Sequence, residues 1–119
     1  MTENTDLKRL IIEGIQDRKG RGITYVDLSK IEGAAVDEFI ICQGSSTMQV
    51  ASIADNIREY VQTQSGQKPY NYDGYKNSQW IVIDYGSMLV HVFLPEIRQL
   101  YNLEELWSDA RLEQVADLD

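Results

Sequence analysis

Residues 80–93 read Trp80-Ile81-Val82-Ile83-Asp84-Tyr85-Gly86-Ser87-Met88-Leu89-Val90-His91-Val92-Phe93, an almost wholly apolar run split by one glycine. Two β-branched-rich arms meeting at Gly86-Ser87 predict a β-hairpin whose leading glycine suits a type II′ turn. That register pairs Tyr85 with Met88 and Trp80 with Phe93. Ile81, Ile83, Tyr85, Met88, Val90 and Val92 then share one face. Trp80, Val82, Asp84, Leu89, His91 and Phe93 share the other. A hairpin with one wet face alternates apolar with polar positions; here both faces want cover. Helices of the chain can bury the first. The second is either a second core or a docking surface for another molecule, and in so short a chain docking is the expectation.

Elsewhere the pattern changes period. Leu7, Leu10, Ile11 and Ile15 recur at helical spacing, with Asn4 or Thr5 placed to cap the start. This helix ends in the basic segment 18–22. Residues 23–28 read as a strand, and after a connection containing Gly33 residues 39–42 read as a short strand buried on both faces. Gln43-Gly44-Ser45-Ser46-Thr47 is a turn that opens a second helix, with Ser46 or Thr47 as N-cap. Val50, Ile53, Ala54, Ile57 and Val61 form its apolar stripe. Residues 62–72 read as a helix end and a polar surface loop, and 73–78 lead into the hairpin. Pro95 suits the first turn of a helix, and Asn102 with an acid three residues on suits a fresh start. Two short helices, 95–101 and 103–107, are expected with a bend between them. Residues 110–119 read as an acidic tail, frayed or weakly helical, which leaves 1–109 as a single domain. The order α-β-β-α-β-β-α describes a small α/β domain with a mixed sheet. In it the second helix would carry a right-handed crossover from 39–42 to a parallel strand at 80–84.

At 119 residues the chain fits one domain. No stretch approaches the roughly 20 apolar residues of a membrane span, and the first residues have neither the basic nor the apolar part of a secretion signal. A cytoplasmic protein is expected. The single cysteine, Cys42, lies in an apolar run and reads as a buried hydrophobe in a reducing compartment. The formal net charge of −8 argues against a nucleic-acid binder, which needs a basic footprint. The one basic cluster, Arg18-Lys19-Gly20-Arg21, follows the first helix, where cations are favoured anyway. An acidic surface suits a basic protein partner instead.

Gly44-Ser45-Ser46 between a strand and a helix is the most enzyme-like feature, since such a turn can hold a phosphate. Nucleotidyltransferases use a Gly-Ser turn in this place, but they also need paired carboxylates to hold two metal ions. After Ser46 the first acid is Asp55, on the polar face of a helix, and no Asp-x-Asp follows. A nucleotidyltransferase-like protein with residual nucleotide binding is therefore the alternative reading, not the leading one. His91, the sole histidine, lacks the company a metal site needs. Asp84 lies diagonal to it and is placed to orient its ring. No serine or cysteine nucleophile stands beside them. No catalytic residue, cofactor or metal is expected, and Trp80 is read as an interface anchor.

Gly74, then Trp80-Ile81-Val82, Asp84-Tyr85-Gly86, Val90-His91-Val92-Phe93, Arg98, Tyr101, Leu103-Glu104 and Leu106-Trp107 together resemble the ribosomal silencing factor (Iojap-like) family. Gly44-Ser45-Ser46 before Ile53-Ala54-Asp55 fits the same pattern, and the resemblance spans residues 7–107. It implies a nucleotidyltransferase-like fold without the metal-binding acids. It implies a non-enzymatic translation repressor that forms homodimers and binds the large ribosomal subunit through large-subunit ribosomal protein fourteen, blocking the small subunit from joining. By resemblance Trp80 occupies the family's tryptophan at that contact, with Asp73, Gly74 and His91 on or near the same surface. Leu89 and Asp84 share the hairpin face, and Asp73 and Asp84 would steer a basic partner. Ser87 departs from the pattern, which has an acid directly after the glycine of the turn, so an ion pair from that position is not expected here.

Overall fold

The computed structural model describes residues 2–118, and the side chains of residues 6–118. Its elements in chain order are α1 (Thr2–Asp17), β1 (Arg21–Asp27), β2 (Glu38–Gln43), α2 (Thr47–Ser65), β3 (Asn71–Asp73), β4 (Trp80–Asp84), β5 (Met88–Phe93), α3 (Pro95–Tyr101), α4 (Leu103–Leu106) and β6 (Arg111–Gln114). The strands form one mixed sheet in the order β3-β4-β5-β2-β1-β6. Only β2 and β5 run parallel; the other neighbouring pairs are antiparallel.

The hairpin forms in the expected register, with Trp80 opposite Phe93 and the Tyr85 N–H bonded to the Met88 carbonyl at 2.9 Å. Gly86 sits at φ +95°, the region a leading glycine enters without strain. Its first face packs beneath α1 and α2. Ile81, Ile83, Tyr85, Met88, Val90 and Val92 join Leu7, Leu10, Ile11 and Ile15 of α1 and the Val50, Ile53, Ala54, Ile57 and Val61 stripe of α2 in one core. Ser46 caps α2, its side chain accepting the Gln49 N–H, and Gly66 closes it at φ +75°. Asn56, on the same helix, is buried because its amide bridges to α1, donating to the Gly14 carbonyl at 2.9 Å and to Asp17 at 3.1 Å. A second, smaller core of Val26, Leu28, Phe39, Ile41 and Phe93 lies on the sheet's other face, against Ile97, Leu103, Trp107 and residues 31–36.

The structure differs from the expectations at four places. The helix α1 begins at Thr2, so Asn4 and Thr5 lie inside it and neither is the cap. The strand parallel to β2 is β5, not the strand at 80–84, which runs the opposite way, and α2 leads instead into β3. The cause is burial: β5 is covered almost throughout and takes an inner position, whereas β4 alternates and stands one place from the edge. Residues 71–73, read as loop, form the short edge strand β3 against β4. Residues 111–114, read as frayed or weakly helical, form β6 along β1, with Thr24 opposite Gln114 and Asp27 opposite Arg111. Beyond β6 the chain stays fastened to β1: Val115 donates to the Ile23 carbonyl, and Asp117 accepts from the Gly22 N–H at 3.0 Å.

Candidate functional site

The sheet's second face is divided. Over β1, β2 and the end of β5 it lies under α3, α4 and residues 31–36; over β3 and β4 its side chains are exposed or half-buried. Strand alternation fixes the membership, because Asp73 is opposite Val82, Val82 opposite His91, and Asp84 opposite Leu89. Asp73 is exposed, and Trp80, Val82, Asp84 and Leu89 are half-buried. His91 is 5% exposed and Phe93 1%. The expectation of a wholly uncovered face is thus corrected for these two side chains. Phe39, from the neighbouring strand, meets the His91 ring edge-on at 4.7 Å, and the Trp107 ring stands 6.2 Å from Phe39.

Trp80 marks the boundary between the sealed and open parts. Its indole stacks on Phe93 at 5.0 Å and leans on Tyr101 of α3 at 4.7 Å. Its Nε1–H donates to His91 Nδ1 at 3.1 Å. That bond leaves the imidazole proton on Nε2, which is buried and has no hydrogen-bond partner among the described residues. Burial pushes the His91 pKa down to about 4, so the ring is neutral near pH 7. His91 is therefore a support under Trp80 rather than a contact residue. Asp84 does not orient it; its Oδ1 accepts the Gly86 N–H at 2.8 Å and holds the hairpin turn. Since the indole N–H is taken internally, Trp80 offers a docking molecule apolar ring surface alone.

Gly74 fixes where Trp80 sits. It lies at φ +103°, and a Cβ there would fall 2.1 Å from the Trp80 carbonyl oxygen. Only glycine lets the turn after β3 come this close to β4. Asp73 caps the same turn, its Oδ1 accepting the Gly74 N–H at 2.8 Å. Beside Trp80 an open cleft of about 220 Å³ runs between this turn and α3, lined by Lys76, Gln79, Ile97, Leu100 and Tyr101. Leu100 is 73% exposed and Tyr101 52%. Sequence reasoning missed this apolar wall, although one signal was present. In a seven-residue helix, Ile97 and the Leu100-Tyr101 pair cannot all face the core.

The wall is held by Arg98, 13% exposed at its side chain. Its guanidinium donates to Glu104 at 3.0 and 2.5 Å, to Gln43 Oε1 at 3.2 Å and to Thr24 Oγ1 at 3.1 Å. One side chain thus ties α3 to α4, β2 and β1. Asn102 takes a left-handed conformation between the two short helices, and its side chain donates to the Glu105 carboxylate instead of capping the backbone.

The phosphate-like turn at 44–47 has an internal occupant. Gln49 Oε1 accepts both the Ser45 N–H at 2.6 Å and the Ser45 hydroxyl at 2.8 Å, while its Nε2 donates to the carbonyls of Arg18 and Lys19. Asp55, the first acid beyond it, pairs with Arg58 at 3.2 Å. Among the described residues no three His, Cys, Asp or Glu side chains converge where a metal ion would be held. Cys42 is fully buried, and desolvation pushes its thiol up to about 12. No helix of the described residues is long and apolar enough to cross a membrane.

A ribosomal silencing factor of Halalkalibacterium halodurans is 36% identical over 107 residues, 90% of either chain. A mouse protein named for mitochondrial assembly of the ribosomal large subunit is 29% identical over 113 residues, 90% of this chain and 49% of its own length. A solved structure of a Chromobacterium violaceum protein superposes with a TM-score of 0.81 at 30% identity, over 87% of this chain and 85% of that one. The profile described as ribosomal silencing factor during starvation matches residues 2–119, and the chain belongs to that family.

Proposed function

We propose that this chain represses translation by occlusion, without catalysing a reaction. It docks on the large ribosomal subunit through large-subunit ribosomal protein fourteen and keeps the small subunit from joining. The observation that carries the reading is the half-open hairpin face with Trp80 and, at its rim, a cleft walled on one side by Ile97, Leu100 and Tyr101. Trp80 and Leu89 supply the apolar contact, Asp73 and Asp84 attract a basic partner, and Gly74 and His91 position the indole. The relatives' names support a ribosomal setting. The resemblance adds a cytoplasmic homodimer, for which light scattering on the purified chain is the test. Retained nucleotide binding at residues 44–47 is disfavoured, because Gln49 already fills the donors that a phosphate would use.

Sucrose-gradient pelleting with large subunits, small subunits and assembled ribosomes tests the docking. Co-migration with free large subunits alone is expected. Trp80→Ala should lose on the order of 2 kcal/mol of binding, as truncations at interface centres do. Unchanged affinity, with the fold intact by circular dichroism, refutes the reading.

A further inference from the structure

On a chain of net charge −8, the run Arg18-Lys19-Gly20-Arg21 is a local reversal of sign. It joins α1 to β1, and its backbone is fastened. Gln49 binds the Arg18 and Lys19 carbonyls at 3.2 and 3.3 Å, and the Lys19 N–H bonds to the Gln16 carbonyl at 2.9 Å. Lys19 is held at φ +62°. Arg18, Lys19 and Arg21 are all exposed. Arg21 pairs with Asp117 at 3.2 Å; among the described residues neither Arg18 nor Lys19 makes an ion pair. Lys19 and Arg21 line an open cleft of about 250 Å³ with Gln43, Ser45 and Pro95, and among the described residues its lining includes no carboxylate.

The position of this cleft is as informative as its charge. Trp80, Phe93, Gln43 and Arg21 are successive partners across β4, β5, β2 and β1. The two clefts therefore lie at the same end of the sheet, three strand spacings or roughly 14 Å apart. Helix α3 stands between them, with Pro95 bordering the basic cleft and Leu100 and Tyr101 bordering the one at Trp80.

Resting on the docking reading above, we infer that the Lys19–Arg21 cleft receives a phosphodiester group of ribosomal RNA while the Trp80 cleft holds the protein partner. A basic ribosomal protein would be repelled by these cations, and RNA is the anion that the same subunit offers. The contact is to the backbone and carries no sequence preference. One or two phosphates are too few to hold free RNA against the chain's overall charge. Docking at Trp80 supplies the missing affinity by raising the local phosphate concentration.

The test compares wild type, Arg18→Gln/Lys19→Gln and Trp80→Ala on two probes, purified large subunits and isolated large-subunit ribosomal protein fourteen. The double variant should bind large subunits about tenfold more weakly at about 0.1 M salt, with a salt slope shallower by one to two. Its affinity for the isolated protein and its circular dichroism should not change. Wild-type affinity and slope on large subunits would overturn the inference, as would an equal loss on the isolated protein. Trp80→Ala binding both probes like wild type would remove the docking reading instead, and the double variant's salt slope on large subunits would still decide the phosphate contact.

Discussion

His91 has one acceptor nitrogen, and Trp80 occupies it. Burial of the ring gives stability a pH dependence with a definite sign. The unfolded ring protonates near 6.5 and the folded ring near 4, so its contribution to stability is full above pH 6.5 and declines as pH falls towards 4. The loss should reach on the order of 3 kcal/mol across that window. Urea unfolding between pH 7 and 4 measures it, and His91→Phe should flatten that part of the profile. Which side chains share the hairpin faces was legible in the sequence, because alternation is a property of the backbone. The Trp80–His91 bond was not, since diagonal neighbours on a strand pair meet or miss according to rotamer. Asp84 looked equally eligible until the Gly86 N–H claimed it.

Helices α3 and α4 contain no fully buried residue, and Arg98 joins them through Glu104 and ties them to the sheet through Gln43 and Thr24. Arg98→Met should destabilise the fold by about 2 kcal/mol, because it strands a half-buried carboxylate. In a double-mutant cycle with Glu104→Gln the coupling should be about 1 kcal/mol or more, read from denaturation midpoints. A coupling near zero would show the pair to be incidental. The strand β6 carries a different expectation. Removing residues 111–119 bares the edge of β1, and the lost ladder should lower stability by roughly 2–4 kcal/mol. Light scattering should also detect self-association of the truncated chain. Neither β3 nor β6 could be read from its own residues, which are short, polar and exposed. Such strands exist because a neighbour offers unpaired N–H and carbonyl groups, not because their side chains need burial. The long stripe of α2 needed no such context.

The molecule as a whole is an acidic body with an apolar rim at one end of its sheet. Its field should act on encounter more than on residence. Stopped-flow association with a basic partner should slow by about tenfold or more between roughly 0.05 and 0.5 M salt, while dissociation changes little. A dissociation rate that carried most of the salt effect would contradict this. The Arg98 anchor gives the rim an unexpected dependence. Thr24 is 2% exposed on β1, beyond reach of anything that lands on the surface, yet its hydroxyl helps set the angle at which Leu100 and Tyr101 stand. Recognition here is shaped partly by leverage from inside, and a survey of weakened binders would include substitutions that no footprint of the bound partner explains.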